Sequence, residues 1–179
     1  FPAWELPPGF YWREDWTAWV QRWRACAGRV FGGRLIAAKW SGIWERLARI
    51  GLPDNVVALT EAAPYPLSPG AAVMPVPLAS KNPGRDPTEW MDTAATAAGI
   101  LRIGLAHGSV HGFSSEGESS VAIARDRAGR AGLAYLALGD WHGKKRIDER
   151  TWYSGTPEPD RFPDNEPGFA LSVAIDGAG

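Results

Sequence analysis

Three side chains able to bind a metal stand just past two apolar runs: His107, then Asp140 and His142 flanking Trp141. Imidazole and carboxylate together suit manganese, iron or zinc better than calcium or magnesium. Taken singly, each is weak. A histidine that closes a buried strand is more often packed for structure than used as a ligand, and a turn aspartate beside a histidine is common. Their weight comes from convergence, because the runs that precede them read as neighbouring strands. Downstream, Lys144-Lys145-Arg146 reads either as a hold on a phosphate backbone or as a solvated basic loop. Other chemistries fit less well. Ser109 and His111 are two residues apart, no orienting acid is evident, and Gly108-Ser109-Val110-His111-Gly112 misplaces the glycines of a serine-nucleophile elbow. No P-loop and no dinucleotide fingerprint is present.

The elements that must position these residues follow from pattern. Leu101 to Ala106 is an apolar run of strand length ending in His107-Gly108. Ala134 to Leu138 is a second, ending in Gly139-Asp140. Val121 to Gly132 between them predicts a helix, weakened by Gly129. Strand, helix, strand with both strands apolar predicts a parallel βαβ unit covered on both faces, whose ligands sit beyond the carboxyl ends of the strands. Further strands are predicted over Val56–Thr60, Ala71–Val76, Arg150–Tyr153 and Phe169–Ile175, with a proline-rich turn around Pro64, Pro66 and Pro69. Ile43–Ile50 predicts a helix stopped by Gly51 and Pro53. Asp86-Pro87-Thr88-Glu89 predicts the capped start of another, running to Ala98.

Composition divides the chain into residues 1–42 and residues 43–179. Seven of the ten tryptophans lie in the first 44 positions, and residues 1–42 hold no histidine or asparagine. Trp12, Trp16, Trp19 and Trp23 would share one stripe of a helix. That stripe reads as a core-packing face, as a stacking surface for sugars or bases, or as a segment foreign to the fold. A net charge of −1 gives no global basic field. A nuclease that holds phosphates with metal ions needs fewer basic residues. The lone Cys26, the lack of a signal-peptide pattern and the lack of a long apolar stretch predict a cytoplasmic protein with no membrane span. The chain starts at Phe1 rather than methionine, which suggests a processed chain or a gene fragment.

Leu101-Arg102-Ile103-Gly104-Leu105-Ala106-His107-Gly108 resembles the strand-then-His-Gly motif of calcineurin-like metallophosphoesterases. Leu138-Gly139-Asp140-Trp141-His142 resembles their final Gly-His-x-His motif, with aspartate for the first histidine. Tyr153-Ser154-Gly155-Thr156 is similar to the stretch that follows in DNA repair exonucleases of the SbcD type. The resemblance covers residues 43 to 176. It implies an α/β fold, part of a four-layer α/β/β/α sandwich, of which this chain carries the C-terminal half. It implies two divalent metal ions, usually manganese, acting on a phosphodiester or DNA substrate, and an ATPase partner subunit. By motif position His107 and Asp140 would serve one metal and His142 the other, with Lys144, Lys145, Tyr153 and Ser154 meeting substrate.

The upstream ligand motifs have no counterpart. The asparagine-histidine motif belongs just before Ile43, where Phe31 to Gly42 contains no asparagine, histidine or aspartate. Three ligands shared between two ions would leave each under-coordinated. The expectations are therefore a metal-dependent phosphoesterase, impaired in the chain as given, or a non-catalytic degenerate fragment, or a binding module built on the tryptophans. A half-fold also predicts self-association through an exposed sheet edge.

Overall fold

The computed structural model describes residues 34–37, 49, 51–52, 55–78, 80, 82–112, 121–157 and 168–176. The architecture is mixed α/β, with a large mixed sheet and few helices. The strands are β1 (Arg34–Ala37), β2 (Val56–Leu59), β3 (Tyr65–Ser68), β4 (Ala71–Pro75), β5 (Leu101–His107), β6 (Ser109–Val110), β7 (Ala122–Ile123), β8 (Tyr135–Gly139), β9 (Lys145–Arg146) and β10 (Thr151–Tyr153). Among the described residues, two single-turn helices can be bounded, α1 (Trp90–Thr93) and α2 (Arg127–Arg130).

Six strands form one sheet in the order β3-β4-β5-β8-β10-β9. Its centre is parallel: β4 with β5, β5 with β8, β8 with β10. The parallel β5–β8 pairing bears out the strand–crossover–strand reading, and His107 lies opposite Gly139 in its register. Both edges are short antiparallel additions. Edge strand β3 contains Pro66, which has no amide to donate, and edge strand β9 is Lys145-Arg146. Both devices blunt an edge against further pairing. Separately, β1 pairs in parallel with β2, so hydrogen-bonded structure crosses the compositional boundary at residues 42 and 43.

The core gathers Met74, Val76 and Met91 with Ile123, Leu133, Leu136 and Leu138, all buried. Its largest aromatic is Tyr153, at 0% exposure. At about 25 cal/mol per Å², burial of this set is the main drive holding the sheet to its covering segments.

Several expectations are corrected. The crossover is not one helix over Val121–Gly132: Ala122–Ile123 pairs with Ser109–Val110 as a two-stranded parallel sheet, and only Arg127–Arg130 is helical. Buried Val121 and Ile123 suit extended backbone, Gly129 weakens helix, and Gly132 takes φ 59°. The helix expected from Asp86 to Ala98 shrinks to Trp90–Thr93. The expected cap does form, Thr88 N–H donating to Asp86 Oδ1, while Asp86 Oδ2 is held by Ala124 N–H and Arg127. Farther along, the Arg102 guanidinium donates to the Met91 carbonyl, the acceptor that a continuing helix would give to residue 95.

The proline-rich turn instead contains strand β3. Phe169–Ile175 is not a strand. Leu171 and Ile175 are half-buried but Val173 is exposed, so the apolar alternation of the sequence is not matched by alternating burial. This segment lines a cleft of about 660 Å³ at the amino ends of β5, β8 and β10. Of the helix expected at Ile43–Ile50, Arg49 is described and is helical. The tryptophan stripe lies outside the described residues. Among the described residues, no helix is long and apolar enough to cross a membrane.

Candidate functional site

Adjacent parallel strands end side by side, and that geometry builds the site. β5 delivers His107 as its last residue, and β8 delivers Asp140 immediately after its own. Gly139 stands between them in the register. A Cβ there would sit 3.0 Å from His107 Nδ1, so glycine leaves room for the imidazole. His107 Nε2 lies 3.2 Å from Asp140 Oδ1, with the side chains 32% and 33% exposed. The pair therefore faces solvent at the carboxyl edge of the sheet, where open parallel sheets bind ligands.

Asp140 has φ 112°, and among the described residues it is the only non-glycine with positive φ. Such backbone costs on the order of 1–3 kcal/mol and persists where surrounding structure imposes it, often at functional sites. Here the conformation turns the chain out of β8 and carries the carboxylate back across to the β5 terminus.

The loop after β5 is tightly held. Gly108 N–H donates to Gly139 O (3.1 Å), and Ser109 N–H donates to Val121 O (2.8 Å). A Cβ on Gly108 would meet Val121 O at 2.6 Å. The buried Tyr153 hydroxyl donates to Gly108 O (2.8 Å) and accepts from Val110 N–H (3.0 Å). Burial, with Asp140 nearby, pushes the Tyr153 pKa up to about 12, although the Val110 bond works the other way. The phenol thus stays protonated and keeps donating.

His142 follows on the same turn. Its carbonyl accepts from Thr156 N–H (2.9 Å) and the Thr156 hydroxyl (3.3 Å). Gly155, at φ 71°, packs so closely on this turn that a Cβ would stand 2.7 Å from Lys144 N and 2.9 Å from His142 O. Beyond, Lys144 Nζ lies 4.1 Å from the Phe169 ring centroid and the Arg146 guanidinium 5.6 Å from that of Trp152. Trp141 and Phe169 are exposed, so the turn leaving Asp140 presents cations interleaved with aromatic faces.

The structure thus brings His107 and Asp140 together. It sets His142 on the adjoining turn, but among the described residues no three His, Cys, Asp or Glu side chains gather closely enough to hold a metal ion. Two donors that bind one ion at about 2.0–2.2 Å and at right angles stand about 3 Å apart. The 3.2 Å separation is also that of an ordinary imidazole–carboxylate ion pair; it supplies two donors, and among the described residues no third joins them. Ala38 to Gly42, just before Ile43, lie outside the described residues.

Lys144, Lys145 and Ser154 are exposed. Tyr153 is not: it lies in the core with its hydroxyl committed to backbone. Sequence reasoning missed Gly139, Gly155 and Thr156, which shape the two loops. The glycines in Gly139-Asp140 and Ser154-Gly155 were the available signal, since close backbone approach requires them.

No family model matches the chain, and no curated protein matches it.

Proposed function

We propose that this chain belongs to the metallophosphoesterase class and that its His107–Asp140 edge is the metal-holding side of a phosphodiester-hydrolysing site. The observation that carries the reading is the 3.2 Å approach of an imidazole and a carboxylate at two parallel strand ends, with Asp140 held at φ 112° to achieve it. The six-stranded sheet would be one of the two sheets of a four-layer α/β/β/α sandwich. When bound, divalent ions, manganese first, would supply an activated water and neutralise phosphoryl oxygens. His107 and Asp140 hold position and charge at the edge. His142 is the next donor along the turn. Lys144 and Lys145 supply positive charge to an incoming phosphodiester, DNA included. Ser154, on the facing loop, offers a hydroxyl. The same reading puts the protein in the cytoplasm and beside an ATPase subunit.

A second reading, a degenerate fragment that binds metal without turnover, is favoured by the two-donor set, too small to complete an ion's shell by itself. Hydrolysis of bis-p-nitrophenyl phosphate with and without Mn2+, beside a His142→Ala control, separates the two. Manganese-dependent turnover lost in the variant supports the enzyme. Folded protein that binds Mn2+ but turns nothing over supports the degenerate form.

A further inference from the structure

We propose that Tyr153 and Thr156 are positioning residues, and that segment 153–156 is a brace holding both candidate ligand loops in register with each other. The inference rests on the metal reading above. Tyr153 closes β10, one strand beyond β8, and its side chain reaches from there to the loop after β5. There its single hydroxyl makes two bonds, one to Gly108 O and one from Val110 N–H, on either side of Ser109. Both bonds are buried, so neither backbone group has water to replace a lost partner.

Three residues later the same segment fixes the other loop. Thr156 gives its amide and its hydroxyl to His142 O, and Gly155 closes against the backbone of residues 142–144 with no room for a side chain. The two loops have no covalent link within thirty residues of sequence: His107 and Asp140 belong to strands joined by the long crossover. Their relative placement is thus set by register in the sheet, by the Gly108 N–H bond to Gly139 O and the His107–Asp140 contact, and, farther out along both loops, by this brace. Groups bonded directly to a ligand side chain typically alter metal affinity roughly 10–100-fold when removed, and Tyr153 and Thr156 act one step farther out, through loop backbone.

The test uses the whole chain. Free Mn2+ is read by electron paramagnetic resonance during titration of wild type, Tyr153→Phe and His107→Ala, below the melting temperature of each. Backbone hydrogen exchange is followed in parallel over residues 105–112. Tyr153→Phe keeps the ring and deletes only the hydroxyl. It should weaken Mn2+ binding up to about 10-fold, less than loss of a group bonded directly to a ligand, and speed exchange at Val110. A folded Tyr153→Phe that binds Mn2+ like wild type, while His107→Ala does not, overturns the proposal whatever its melting temperature, because a merely structural hydroxyl would behave so. If wild type and His107→Ala bind Mn2+ identically, the metal reading fails instead. The brace is then decided by exchange alone, and unchanged exchange at Val110 overturns it. Should Tyr153→Phe not fold, Thr156→Val supplies the measurement. It keeps the amide donor, so a loss of Mn2+ affinity smaller than about 10-fold is expected and no loss overturns the proposal.

Discussion

At the scale of single residues, the site depends on atoms that are absent as much as on those present. Gly108 has backbone where a side chain would go, so Gly108→Ala must move Val121 or the loop itself. Overpacking of this kind costs about 1–3 kcal/mol, and we expect a matching fall in the urea midpoint without a change in slope. Tyr153 yields a pH prediction. Its pKa stands at about 12 in the fold against an ordinary 10.0, burial being the chief cause. A raised pKa means that the protonated phenol favours the fold, so this contribution is complete below pH 10 and is lost as pH rises towards 12. The loss is roughly 2–3 kcal/mol, visible in melting temperatures across that window and absent in Tyr153→Phe. His107, Asp140 and His142 were legible as candidates from residue type and from their places after apolar runs. That Tyr153 faces inward was not, because Thr151-Trp152-Tyr153 alternates and both faces carry aromatic rings.

At the scale of elements, the crossover between β5 and β8 is held by ions where a long helix was expected. Arg127, 1% exposed, pairs with Asp86 Oδ2 at 2.8 Å and Asp92 Oδ1 at 2.5 Å, the latter off the line of a hydrogen bond, while Arg130 reaches Asp92 Oδ2 at 2.7 Å. One buried guanidinium thus joins α2 to the turn before α1 and to α1 itself. Removing it takes the cationic partner from the part-buried Asp86 and one of two from Asp92, which keeps Arg130, so Arg127→Met should cost about 3 kcal/mol in chemical denaturation. Burial would raise the Asp86 pKa, but hydrogen bonds from Thr88, Arg127 and Ala124 outweigh it and hold the carboxyl below its ordinary 3.8. The ionised form therefore favours the fold. Its contribution is present above pH 3.8 and fades as pH falls through the lowered value, and acid unfolding of Asp86→Asn should lack that component. Charge pattern could not foretell this cluster, since 86, 92 and 127 share no helical spacing. The strands were legible because apolar runs of five to seven residues need two covered faces. The places of the helices were legible but not their extent, because propensity in short segments yields to pairing and ion contacts.

At the scale of the whole molecule, a metal at the His107–Asp140 edge would couple to global stability. With Mn2+ about 100-fold above its dissociation constant, the fold should gain about 2.7 kcal/mol. Chelator should return the melting temperature to its metal-free value, and His107→Ala should show no response to either. An unaltered melt in wild type would count against the edge as a metal site. The sequence by itself determined the α/β class, the two parallel strands and the residues at their ends, since local hydrophobicity sets which runs must be covered and where they stop. Only the tertiary structure decided that His107 and Asp140 lie 3.2 Å apart, that Asp140 adopts φ 112°, and that segment 153–156 braces both loops. Those facts depend on sheet register and on packing between residues tens of positions apart, where no local pattern reaches.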